Sequence, residues 1–140
     1  MRNFVISTLV ACTLAACAST PAAPAGYVGT WQLQSIGDQQ VVGPRGASLT
    51  LDAQGHANGN GGCNSFGGQY TARDNTLTFS RMISTMMACV SVDGGDDVMT
   101  QERAMLSILN GTVRASGAGD DLALSALDGR TLHFHRAAGQ

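Results

Sequence analysis

Six short runs of the chain alternate apolar and polar side chains with a period of two. Trp31 and Leu33 alternate with Thr30, Gln32 and Gln34, and Leu49 and Leu51 with Ser48, Thr50 and Asp52. Phe66, Gly68 and Tyr70 share one face, Leu77 and Phe79 flank Thr78, Leu122 and Leu124 flank Ala123, and Leu132 and Phe134 alternate with His133 and His135. Successive side chains of a strand point to opposite faces, so each run can bury one face and leave the other in water, as antiparallel strands do on a one-sided core. Gly55, Asp74-Asn75, the stretch from Gly117 to Asp121, and Asp128-Gly129 punctuate the runs with turn formers, and the last predicts a hairpin. Gly59, Gly61, Gly62, Gly67 and Gly68 crowd around Cys63, as bends, bulges or close backbone approach in a curling sheet require.

One segment breaks the period. From Val98 to Leu109 the residues Val98, Met99, Met105, Leu106, Ile108 and Leu109 fit one helix face. Asp96 and Asp97 precede it as capping carboxylates and Asn110-Gly111 follows as a stop. The expected fold class is α+β and mostly β: a small curved antiparallel sheet or partly open barrel, with one helix over a face or an open end.

The N-terminus carries a separate signal. Arg2 is followed by an apolar stretch, Phe4 to Leu14, that ends in Leu14-Ala15-Ala16-Cys17. This is the layout of a secretory signal peptide, and the stretch is too short to cross a hydrocarbon core of about 30 Å as a helix. The small pair followed at once by cysteine resembles the lipobox of bacterial lipoproteins. The resemblance implies removal of residues 1–16, acylation of Cys17, and attachment to a membrane from outside the cytoplasm. Ala18 and Ser19 do not match the Asp that retains lipoproteins at the inner membrane, so the periplasmic face of the outer membrane is expected. Residues 17–26 then form the acylated cysteine and a tether of small residues and prolines, whose nine residues at about 3 Å each reach roughly 30 Å.

Removing 16 of 140 residues leaves 124, enough for one domain with a real core and hardly for two; that domain is expected over residues 27–137. The formal net charge is only −2, no lysine occurs, and the arginines scatter from Arg45 to Arg136. Such a set leaves no electrostatic footprint for nucleic acid. With Cys12 in the signal and Cys17 committed to lipid, Cys63 and Cys89 remain. Outside the cytoplasm a disulfide is favoured, and it would stabilise the fold by roughly 3 kcal/mol; the alternative is two buried thiols that never meet.

The middle of the chain also carries motifs. Gly29-Thr30-Trp31-Gln32-Leu33 opens the domain, Gly62-Cys63-Asn64 leads into Gly68-Gln69-Tyr70, and Ser84-Thr85-Met86-Met87-Ala88-Cys89 follows. Glu102, Leu106 and Leu109 come next, then a late leucine-rich hairpin with Leu132 and Phe134. This order resembles the META domain family, whose bacterial relatives include heat-shock-inducible lipoproteins of the HslJ type. The resemblance covers nearly all of Gly26 to Arg136. It implies a small curved antiparallel sheet with a helix and a link to envelope stress, and it names neither a ligand nor a reaction.

Candidate chemistry is thin. His133 and His135 would project from one side of a strand about 7 Å apart, with His56 as a third imidazole, but no ligand cluster at metal spacing accompanies them, which favours solvent-face histidines. Asp93-Gly94-Gly95-Asp96-Asp97 lacks the ordered spacing and terminal Glu of a calcium loop and reads as a polar loop with a cap. Glu102, the only glutamate, reads as a hydrogen-bond partner or surface residue rather than a general base. Asn64 and Thr85, each near a motif cysteine, read as satisfying backbone groups where two segments meet; the alternative is a polar contact on a binding surface. The methionines Met82, Met86, Met87, Met99 and Met105 read as core packing, with Met86 or Met87 at a barrel mouth as the alternative.

The function expected is therefore that of a non-catalytic outer-membrane lipoprotein without a cofactor, serving envelope stress through a protein partner. That reading predicts an exposed apolar patch and an unpaired strand edge. The alternative is a module that binds a small apolar molecule or lipid inside the curved sheet, which predicts an apolar cavity of a few hundred Å³.

Overall fold

The computed structural model describes residues 26–89 and 97–138. The expectations for Cys17, the signal segment, the tether before Gly26 and the loop at 93–96 lie outside the described residues, as does the side chain of Asp97.

Among the described residues, nine strands and one helix follow in the order β1 (Gly29–Ile36), β2 (Gln39–Gln40), β3 (Ser48–Leu51), β4 (His56–Asn60), β5 (Ser65–Arg73), β6 (Thr76–Ser84), α1 (Asp97–Ile108), β7 (Thr112–Ser116), β8 (Asp121–Ala126) and β9 (Thr131–Arg136). Every described pairing is antiparallel, and the ladder runs β1-β3-β4-β5-β6-β7-β8-β9. β9 then pairs back onto β1, from Trp31↔Arg136 to Ile36↔Leu132. The expected curved sheet with one helix is thus present, and its curvature carries it to full closure as an eight-stranded barrel. The short β2 adds to the end of β1 at Ser35 and Ile36.

An eight-stranded barrel has an interior that side chains can just fill. Here Trp31, Leu33, Leu49, Leu51, Phe66, Tyr70, Leu77, Phe79, Leu122, Leu124, Leu132 and Phe134 are all buried in one apolar cluster. These are the apolar positions of the six alternating runs. The strands that carry no such run are made of small or polar residues: β4 buries only Ala57, and β7 buries Val113 and Ala115. Gly59 on β4 is needed for size, since a methyl group there would lie 2.6 Å from Phe66 Cζ and would also meet the Ser48 carbonyl.

Alternating strand directions gather the connections at two poles. One pole holds the β3–β4, β5–β6 and β7–β8 turns, the start of β1 at Gly29 and the end of β9 at Arg136. Both described chain ends leave here, tied down by Arg136 Nη2 donating to the Gly26 carbonyl and Ala137 N–H to the Thr30 carbonyl. The other pole holds the β4–β5 corner, the end of β6 and the β8–β9 turn, and α1 closes it. Met105 and Ile108 enter the core from the helix and Leu109 from just beyond its end, while Gln101 and Ser107 bond the rim: Gln101 Oε1 accepts from Val42 N–H at 2.7 Å, Gln101 Nε2 donates to the Gly61 carbonyl at 3.2 Å, and Arg130 Nη1 donates to Ser107 Oγ at 2.6 Å.

Candidate functional site

The helix-closed pole is built around Asn64. The corner between β4 and β5 turns sharply at Gly62, whose φ of 113° suits glycine, and its N–H donates to Asn60 Oδ1 at 2.7 Å. Asn64 follows, 2 % exposed, and spends its whole side chain on two neighbouring segments. Its Nδ2 donates to Glu102 Oε1 at 2.8 Å and to the Met87 carbonyl at 3.2 Å. Its Oδ1 accepts from Met87 N–H at 2.7 Å and from Thr85 Oγ1 at 2.8 Å. Its own N–H donates to Glu102 Oε2 at 2.6 Å. Glu102 is 5 % exposed, and no cation pairs with it among the described residues, so its carboxylate is held by these two donors. Gly61 leaves the room: a methyl group there would sit 2.9 Å from Glu102 Oε2.

The Cys63–Cys89 disulfide, with Cα atoms 5.8 Å apart, ties the far end of the same segment to the corner, and Thr85 N–H donates to the Ser65 carbonyl at 3.0 Å. Residues 85–89 are therefore fixed at their beginning, middle and end. With its backbone turned toward Asn64, the segment sends its side chains outward: Met86 is 98 % exposed and Met87 52 %. The core-packing expectation for these two methionines is corrected here; the polar corner, rather than a hydrophobic contact, decides their direction. Met105 is the methionine that fills the core, and Met82 packs on its edge.

A β-bulge extends the apolar surface. On β6 the register shifts opposite Gly67 and Gln69, and Arg81 takes a φ of 55°. Without the extra residue, the alternation through Leu77 and Phe79 would aim Arg81 at the core; with it, Arg81 stays in water and Met82 turns inward. Ile83 then stands on the outer face, 76 % exposed, beside the methionine segment. β7 pairs only with Thr76–Thr78, so among the described residues no strand pairs with Ser80–Ser84 on that side. The result is an exposed strand edge flanked by Ile83, Met86 and Met87. Leu127, also exposed, stands on the β8–β9 turn at the same pole.

The other singled-out residues lie elsewhere. Trp31 is buried near the opposite pole, where its indole N–H donates to the Tyr27 carbonyl at 3.0 Å and the Arg136 guanidinium lies 4.2 Å from its ring centre. His135 Nδ1 lies 2.9 Å from Asp121 Oδ1 and His56 Nδ1 2.8 Å from Asp52 Oδ2, both pairs exposed. Among the described residues no three His, Cys, Asp or Glu side chains converge as a metal site. The His56 backbone N–H holds the Asp52 carboxyl below its usual range, and burial pushes the Tyr70 phenol up, with the Asp52 charge adding to it.

Among the described residues, two recesses lie at the outside of the barrel. One of about 230 Å³ lies between β2 and α1, lined by Ile36, Val42, Gln101 and Ala104; the other, about 210 Å³, lies beside Trp31 and Arg136. Among the described residues no helix is long and apolar enough to cross a membrane.

A family model for the META domain matches residues 27–139, a span that includes the corner, the methionine segment and α1. The chain belongs to the META domain family. Two neighbours solved by NMR share the fold. A protein from Burkholderia xenovorans superposes with a TM-score of 0.59 at 25 % identity, over 99 % of this chain and 100 % of its own. Another superposes with a TM-score of 0.65 at 16 % identity, over 79 % of this chain and 90 % of its own, a likeness of fold alone. No curated protein matches the chain.

Proposed function

We propose that this META-domain protein is a non-catalytic lipoprotein of the HslJ type, held by acylated Cys17 at the periplasmic face of the outer membrane, where it engages a protein partner in envelope stress or assembly. The observation that carries the reading is the exposed ridge of Ile83, Met86 and Met87 beside a stretch of β6 that no strand pairs with on that side among the described residues. Large apolar side chains at such exposure mark docking surfaces, and methionine suits them because it adapts its shape to the partner. An unpaired edge adds backbone donors and acceptors that a partner segment can use.

The ridge also lies at the right end. The chain enters at Gly26, at the pole opposite the ridge, so a tether running from Cys17 to Gly26 would turn the ridge away from its own bilayer. Two or more acyl chains, at about 0.8 kcal/mol per buried CH₂, would make that anchor stable. The apolar cluster that fills the interior argues against a ligand inside the barrel.

The test is affinity purification from the native cell envelope after in-cell crosslinking, comparing the wild-type chain with Ile83→Ser/Met86→Ser/Met87→Ser. A specific partner recovered with the wild type and lost with the folded triple variant supports the docking ridge. Equal recovery with both overturns it. A Cys17→Ser chain that still fractionates wholly with membranes overturns the lipid anchor.

A further inference from the structure

We infer that Met86 and Met87 form an oxidation site, at which hydrogen peroxide converts the docking ridge from apolar to polar while the fold stays intact. Three observations lead there. First, the chain offers peroxide its own graded series of thioethers: Met86 is almost wholly exposed, Met87 half exposed, Met82 and Met99 partly buried, and Met105 fully buried. Second, the two cysteines of the described domain are joined to each other, so no thiol within it competes for the oxidant. The most accessible reduced sulfur in the described structure is therefore Met86. Third, the methionine segment is held by its backbone and not by its side chains. Asn64 grips the Met87 N–H and carbonyl, Ser65 grips Thr85 N–H, and Cys89 is bonded to Cys63. A change on the Met86 side chain leaves all of these ties in place.

The step balances simply. The Met86 sulfur attacks one peroxide oxygen, an S–O bond forms and the O–O bond breaks. Sulfur loses two electrons, peroxide gains them, and the departing hydroxide takes the remaining proton as water. The product is methionine sulfoxide, a polar group where the ridge had a thioether. In a buried core this would disrupt packing; at Met86 it alters only what a partner would meet. The consequence for docking rests on the reading of the ridge given above, whereas the reactivity does not.

The experiment treats the purified full chain, disulfide intact, with graded hydrogen peroxide and follows every methionine by peptide mapping. Met86 should gain its oxygen first and Met87 next, both at least about tenfold faster than Met105. After that first phase circular dichroism should be unchanged and retention on a phenyl column should fall. A Met86→Leu/Met87→Leu chain should keep its retention under the same peroxide. Oxidation of Met86 no faster than Met105, or accompanied by unfolding, overturns the site; unchanged retention after Met86 and Met87 are oxidised overturns the polarity switch. If oxidation proceeds as stated while the ridge variant of the preceding section still captures its partner, the docking reading falls and the oxidation site stands.

Discussion

Replacing Asn64 by alanine isolates the polar corner. The substitution deletes four hydrogen bonds, to Glu102 Oε1, to the Met87 carbonyl and N–H, and to the Thr85 hydroxyl. The three bonds to Thr85 and Met87 are part-buried, and each contributes about 0.5–1.5 kcal/mol. The bond to Glu102 is charge-assisted and buried, and losing it costs about 1.5–3 kcal/mol. The expected loss is about 3–7 kcal/mol, a fall of roughly 12–30 °C in melting temperature for a domain of this size. The isosteric Asn64→Asp sharpens the test. It keeps the shape but sets a carboxylate against Glu102 Oε1 and the Met87 carbonyl, so near neutral pH it should destabilise at least as much as alanine. Its stability should recover as pH falls and the introduced carboxyl is neutralised. Chemical denaturation gives the free energies, and hydrogen exchange at the Met87 amide reports the segment directly: protected in the wild type, fast in Asn64→Ala. An Asn64→Ala chain within about 0.5 kcal/mol of the wild type, the range of an ordinary surface substitution, would refute the account.

Two other outcomes are expected. Cys63→Ala/Cys89→Ala should lose about 3 kcal/mol against the oxidised wild type in denaturant titration, and added reductant should bring the wild type down to meet it. Lowering pH should remove stability in the range where Asp52 takes up its proton. A carboxyl whose folded pKa lies below the unfolded value, here 3.8, stabilises the fold above that value and loses the contribution as pH falls through the folded one. A melting-temperature profile below about pH 4 should therefore be steeper for the wild type than for Asp52→Asn, by a small margin because the group is exposed.

Much of the barrel was legible because a half-buried strand writes its geometry into alternation. The pairs Trp31/Leu33, Leu49/Leu51, Leu77/Phe79, Leu122/Leu124 and Leu132/Phe134 all face the core. β4 was not legible: His56-Ala57-Asn58-Gly59-Asn60 has one small apolar residue, because Ser48 and Phe66 crowd that part of the wall and leave no room for a larger one. Thr112 to Ser116 does alternate around Val113 and Ala115, a weak signal that could have found β7. The bulge at Arg81 hides for another reason. It breaks the period by one residue, and only the pairing with β5 shows that Met82 has taken the inward position. Asn64, Thr85 and Glu102 were visible as residues, but nothing in their spacing says that one asparagine would bond the other two. Gln101, which ties α1 to Val42 and Gly61, gave no signal apart from its place beside Glu102.

The split between an apolar barrel and a polar corner has a physical logic. Hydrophobic burial is strong but non-directional, so the cluster from Trp31 to Phe134 can hold the barrel shut without specifying where a segment at its rim should point. Hydrogen bonds add less net stability but require particular distances and angles. A segment that leaves Met86 and Met87 in water cannot use those side chains as its own anchors. Its position has to be fixed through backbone groups, and an asparagine can serve a backbone N–H and a carbonyl at once. Glu102 orients that asparagine and belongs to the helix that closes the barrel, so the direction of the ridge is coupled to the packing of Met105, Ile108 and Leu109.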